Sequence, residues 1–86
     1  MSAAESLASR IRTVLRDHGR LSRPVENVAD DADLYQAGMT SHASVNVMLA
    51  LESEFDVEFP DAMLKRTVFQ SVRAISDALE TLGVAA

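Results

Sequence analysis

Apolar residues recur at helical spacing in three stretches of this chain, separated by two stretches where they do not. In the first, Leu7, Ile11, Val14 and Leu15 share one stripe, which predicts an amphipathic helix over residues 3–17. Ser2, with Glu5 three positions on, fits a capping box at its start, and Gly19 fits its stop. His18, just before that glycine, sits at the negative end of the helix, a dipole-compatible place for a histidine. The second stretch predicts a helix over residues 41–55. At about 100° per residue, Val47, Met48, Leu51 and Phe55 fill one arc, the expected core stripe. Val45 and Leu49 fall on another face with His42 and Asn46. That second apolar patch is either buried by another part of the chain or offered to a partner. In the third stretch Val72, Ile75, Leu79 and Leu82 form the stripe, Ser71 the N-cap and Gly83 the stop.

Between the first two helices, residues 19–40 read as one long connection. Pro24, the cluster Asp30-Asp31-Ala32-Asp33 and Gly38 disfavour regular structure, yet Leu21, Val25, Val28, Leu34 and Tyr35 are spaced through it. Those apolar residues are expected to pin the loop across the bundle; loops this long are uncommon unless functional. After the second helix, Phe59 reads as a core anchor, Pro60 as a terminator, and Asp61 as the cap of a short helix reaching about Arg66. The tail Val84-Ala85-Ala86 is expected to fray. The expected fold is all-α: a bundle of three main helices plus one short one, in a single domain over residues 1–86. Val47, Met48, Leu51, Phe55, Phe59, Ile75 and Leu79 should share its core, with Phe55→Ala costing about 3–5 kcal/mol if that ring is buried.

Composition narrows the chemistry. There is no Cys, so no disulfide supports the fold and any thiol chemistry needs an added cofactor. No apolar run is long enough for a membrane span, and the opening MSAAESLASRIR does not look like a signal peptide. A cytoplasmic protein with no membrane partner is expected. The formal charge of −5 is unevenly spread: residues 25–64 hold nine acids and no Lys or Arg, while residues 1–24 hold five Arg against Glu5 and Asp17. The acidic stretch repels phosphate backbones, which argues against a nucleic-acid partner, and attracts basic protein surfaces.

Several chemistries fail on inspection. Ser41 beside His42 suggests a hydrolase, but adjacent helical residues do not face each other, and Gly38-Met39-Thr40-Ser41 is no nucleophile elbow. Asp31, Asp33 and Tyr35 stand where a calcium loop would begin, yet Gln36 takes its Gly position and His42 its final Glu position. Two distant His without Cys do not support zinc, and no metal is expected. What remains is a serine opening an amphipathic helix, whose simplest role is an N-cap.

The neighbours of Ser41 point further. The segment Asp33-Leu34-Tyr35-Gln36-Ala37-Gly38-Met39-Thr40-Ser41 resembles the Leu-Gly-x-Asp-Ser approach of acyl carrier proteins. The run from Val45 to Asp61, with Glu52-Ser53-Glu54-Phe55 and Phe59-Pro60-Asp61, is similar to that family's second helix and its exit. Val68-Phe69-Gln70-Ser71-Val72 fits the entry to its last helix. The resemblance implies a carrier rather than an enzyme, with 4'-phosphopantetheine moved from coenzyme A onto Ser41 by a phosphopantetheinyl transferase. It implies a thioester-bound acyl or aminoacyl cargo, loaded by a ligase and passed to downstream acyl-transfer enzymes, on a carrier that is monomeric when free. Thr40, His42, Val45, Asn46, Leu49 and Glu52 are then the expected partner-binding residues around the arm. Thr40 stands where the family usually has Asp, His42 replaces a common Leu, and Ala43 and Asn46 replace frequent acids. Thr-Ser at this point resembles a divergent, stand-alone subset that includes aminoacyl carriers charged by ligases resembling tRNA synthetases. The competing reading is a non-covalent acidic helical interaction module in which Ser41 is only a cap.

Overall fold

Residues 6–84 are described by the structure, a computed structural model. Helix α1 spans Leu7–His18, and its stripe of Leu7, Ile11, Val14 and Leu15 is buried as the spacing predicts. Its start differs from the expectation. The Ser2–Glu5 box lies outside the described residues; Ser6, in extended conformation, accepts the Ser9 N–H at 3.0 Å and opens the helix at Leu7. Gly19 does close α1, but with right-handed φ −80; Arg20 makes the left-handed turn at φ 55. Gly19 is suited by closeness instead, since a Cβ there would stand 2.8 Å from the Leu15 carbonyl oxygen.

The long connection contains one 3₁₀ turn, Val25–Asn27, and is pinned as expected. Val25, Val28 and Leu34 are buried, while Leu21 and Tyr35 pack partly against the core. Ala37 and Met39 are buried too, although no periodicity marks them. Polar ties hold the loop on both sides. Arg12 donates to the Val25 carbonyl at 2.6 Å and pairs with Asp30; the Leu34 N–H donates to the Gln70 carbonyl at 2.7 Å and the Arg73 N–H to that of Asp30 at 2.9 Å.

Helix α2 spans Ser41–Phe55. Ala43, Val47 and Leu51 are buried, but Met48 and Phe55 reach only the rim of the core. Phe55 sits in the last turn, at the edge of the core, where Arg10 of α1 covers its ring. The Arg10 guanidinium lies 4.4 Å from the Phe55 ring centroid and pairs with Glu54 at 3.0 Å. The expected cost of Phe55→Ala therefore falls to about 2 kcal/mol, partial burial plus a cation–π contact. The variant should still melt cooperatively, with a midpoint shifted down, and calorimetry checks this.

The single short helix expected after Pro60 is instead two 3₁₀ turns, Asp61–Met63 and Arg66–Phe69. Leu64 and Lys65 between them leave the helical region, and the Met63 N–H closes back on the Pro60 carbonyl three residues earlier at 2.8 Å. Phe59 and Phe69 meet edge to face, centroids 5.3 Å apart, and both are buried. Helix α3 spans Val72–Thr81; the Ser71 hydroxyl accepts the Ala74 N–H at 3.0 Å, and Val72, Ile75, Ala78 and Leu79 are buried. Gly83, at φ +98, ends it: its N–H bonds the Glu80 carbonyl and the Val84 N–H bonds that of Leu79, both at 3.0 Å. Val84 is thus tied down rather than frayed, and Ala85 and Ala86 lie outside the described residues. The three helices and the connection share one core. Among the described residues no helix is long and apolar enough to cross a membrane.

Candidate functional site

The turn leading to Ser41 is braced from several sides. The Asp33 carboxylate accepts the Tyr35 N–H at 2.9 Å, and the Met39 N–H bonds the Leu34 carbonyl at 3.0 Å. Met39 is buried and anchors the chain just before α2. The Ser22 N–H and hydroxyl both donate to the Ala37 carbonyl, at 2.8 and 2.9 Å. Gly38 crosses this point at φ +115, where a Cβ would stand 2.7 Å from the Ser22 nitrogen.

The N-cap of α2 is Thr40, whose hydroxyl accepts the Ala43 N–H at 3.0 Å. Ser41 is therefore the first residue inside the helix, as the expected span 41–55 has it, and the cap role of the competing reading belongs to its neighbour. Its side chain is exposed, and among the described residues its hydroxyl has no hydrogen-bond partner. The first turn of α2 holds no acid, so the partial positive charge of the helix N-terminus is not neutralised there. Ser44, one turn on, is half-buried and donates its hydroxyl to the Ser41 carbonyl at 2.6 Å.

Thr40, His42, Val45, Asn46 and Leu49 are all exposed, with Val45 at 50% and Leu49 at 54%. Three of them line two different grooves, and Thr40 and His42 line neither. Val45 and Ser41 line one of about 360 Å³, whose other walls include Tyr35, Met48, Leu64, Lys65 and Arg66. Asn46 and Leu49 line another of about 530 Å³ against Thr13, Asp17 and His18 of α1. Glu52 is half-buried, and its carboxylate accepts the Phe59 N–H at 2.9 Å, so it braces the exit from α2. Leu64, 46% exposed beside Ser41, carries no signal in the sequence, because it lies between two 3₁₀ turns where no period marks a face.

This arrangement suits a phosphate-linked arm on Ser41. The hydroxyl is free, the helix end is electropositive, Lys65 and Arg66 stand in the same groove, and Val45, Met48 and Leu64 offer apolar walls to a flexible chain. Among the described residues no cluster of His, Cys, Asp or Glu could hold a metal ion.

Residues 7–79 match the family model described as the phosphopantetheine attachment site. Over 72 residues the chain is 49% identical to the aminoacyl carrier protein of Agrobacterium fabrum, covering 84% of this chain and 87% of that protein. Its fold is similar to a chain in the crystal structure of an engineered Bradyrhizobium japonicum glycine:[carrier protein] ligase complexed with carrier protein from Agrobacterium tumefaciens and ATP. That similarity has a TM-score of 0.86 and 46% identity, over 88% of this chain and 99% of the other. A chain from the Bradyrhizobium japonicum ligase complexed with glycylated carrier protein matches at a TM-score of 0.72 and 29% identity, over 84% and 96% of the two chains.

Proposed function

Because this chain belongs to the acyl carrier protein family, whose members bear 4'-phosphopantetheine, we infer that Ser41 is the attachment point and that the cargo is an amino acid. The observation that carries the reading is the free, exposed Ser41 hydroxyl at the first position of α2, with Thr40 taking the cap. When bound, the arm would supply the thiol that the Cys-free chain lacks for carrying the cargo. The chain's own residues hold Ser41 outward, keep acids out of the first helical turn, and wall the groove beside it.

Relatives named aminoacyl carrier proteins, and a ligase that glycylates its carrier, support an amino acid-loading ligase as partner. A phosphopantetheinyl transferase would act before it and acyl-transfer enzymes after it. The carrier would act as a monomer, cytoplasmic, in one domain over residues 1–86. Val45 would wall the arm, and Thr40, His42, Asn46 and Leu49 would meet these enzymes around it, with Glu52 at the edge of the patch. Exposed apolar side chains in a polar rim become anchors when a partner desolvates them. Leu49→Ala should leave stability within about 0.5 kcal/mol of the parent and slow loading by the cognate ligase. A variant that loads at the parent rate would place docking elsewhere.

The test of the attachment site is co-expression with a broad-specificity transferase, followed by intact mass and peptide mapping. One phosphopantetheine should be found on Ser41. An adduct on Ser44 would overturn the assignment, and no adduct at all would favour the non-covalent module.

A further inference from the structure

The groove that contains Ser41 also holds two cations, and one of them is engaged with an aromatic ring. The Arg66 guanidinium lies 3.7 Å from the Tyr35 ring centroid, and the Tyr35 hydroxyl donates to the Arg66 carbonyl at 3.2 Å. Lys65 stands beside it on the same groove wall. Neither forms an ion pair with an acid among the described residues, whereas Arg10 and Arg12 both do. The placement is notable in the charge pattern. Residues 25–64 carry nine acids and no Lys or Arg, and the first two cations after them, Lys65 and Arg66, are folded back against the start of α2.

We propose that Lys65 and Arg66 hold the phosphodiester of the arm on Ser41, and that Arg66 turns from the Tyr35 ring toward it when the chain is converted to the holo form. The proposal rests on Ser41 being the attachment point. A guanidinium stacked on a phenol ring at the surface makes a weak contact, and a charge-assisted bond to a phosphate oxygen is stronger. Arg66 also offers several donors in a fixed fork, so it can take a phosphate oxygen while its backbone carbonyl keeps the Tyr35 hydroxyl. Lys65 contributes as a point charge on the same wall. No acid in the first turn of α2 competes for either cation. The role is one of positioning: it restrains the root of the arm on the Tyr35 side of α2.

Tyr35 provides its own reporter, because the chain has one Tyr and no Trp. The experiment compares apo and holo forms of the parent, Arg66→Gln and Lys65→Gln, each made with a broad-specificity transferase and mapped by mass spectrometry. Phosphorus NMR of the holo parent should show the phosphodiester resonance displaced from its position in the unfolded protein. The displacement should shrink as salt is raised and be reduced in each variant. Tyr35 emission should change between apo and holo parent, and that change should be lost in Arg66→Gln. An adduct on Ser41 with the same phosphorus resonance in all three proteins would overturn this proposal alone. So would an emission change that persists without the Arg66 guanidinium. Absence of an adduct on Ser41 would overturn the attachment reading together with it.

Discussion

Ser41→Ala is expected to abolish phosphopantetheine attachment completely while leaving the fold intact. The two effects separate because Ser41 does no structural work through its side chain. Thr40 caps α2, and the hydroxyl of Ser41 has no partner among the described residues. Alanine is also a better helix former than serine, by a few tenths of a kcal/mol at about the scale of intrinsic propensities. Ser41→Ala should therefore melt at or slightly above the parent temperature. Intact mass after co-expression with the transferase should show only the unmodified chain. The contrasting variant is Thr40→Ala, which removes the cap and should cost about 1 kcal/mol while still allowing modification. If Ser41→Ala melted well below the parent and Thr40→Ala did not, the capping assignment would be reversed.

Gly38→Ala is expected to be among the most damaging single changes in the chain. Gly38 has φ +115, beyond the region a side chain tolerates, and a Cβ would stand 2.7 Å from the Ser22 backbone nitrogen. The conformational strain alone is about 1–3 kcal/mol. The close approach adds to it, because Ser22 is bonded to Ala37 and cannot retreat without breaking those bonds. A domain of this size has only about 5 kcal/mol of stability, so the variant should lose most of its cooperative urea transition. Gly83→Ala is the control. It has φ +98 but open space around the added carbon, so it should suffer the strain without the clash. Equal losses in the two variants would show that the contact with Ser22 does not matter.

The segments legible in the sequence were those governed by local rules. The stripe of α1, the bounds of α2, the Ser71 cap and the Gly83 stop all follow from backbone bonds three or four residues apart and from side chains repeating at the same interval. The motif around Ser41 lies on one short stretch for the same reason. Where the sequence leaves two outcomes open, the alternatives are physically close. Thr40 and Ser41 are both cap formers side by side, and only the backbone turn decides which one stands outside the helix. Asp61 could begin either an α-helix or a 3₁₀ turn, and the chain after it took the tighter form twice.

Sequence by itself therefore determined the helical class, the three periodic helices, the absence of a protein thiol and the serine that stands at the head of α2. Tertiary structure alone decided that Met39 and Ala37 are core while Phe55 is rim. Helical phase says which side of a helix faces inward; it does not say how far along the helix the opposing layer extends. Phe55 has the phase of a core residue but meets Arg10 at the end of that layer. Likewise only the fold could bring Leu64, Lys65 and Arg66 beside Ser41, and Arg66 onto Tyr35. Leu64, Lys65 and Arg66 are far along the chain from Ser41 and Tyr35, and they sit in a segment without a period. Their meeting depends on how the connection and the 3₁₀ turns are pinned across the bundle, which is set by long-range burial and hydrogen bonds such as Leu34 to Gln70.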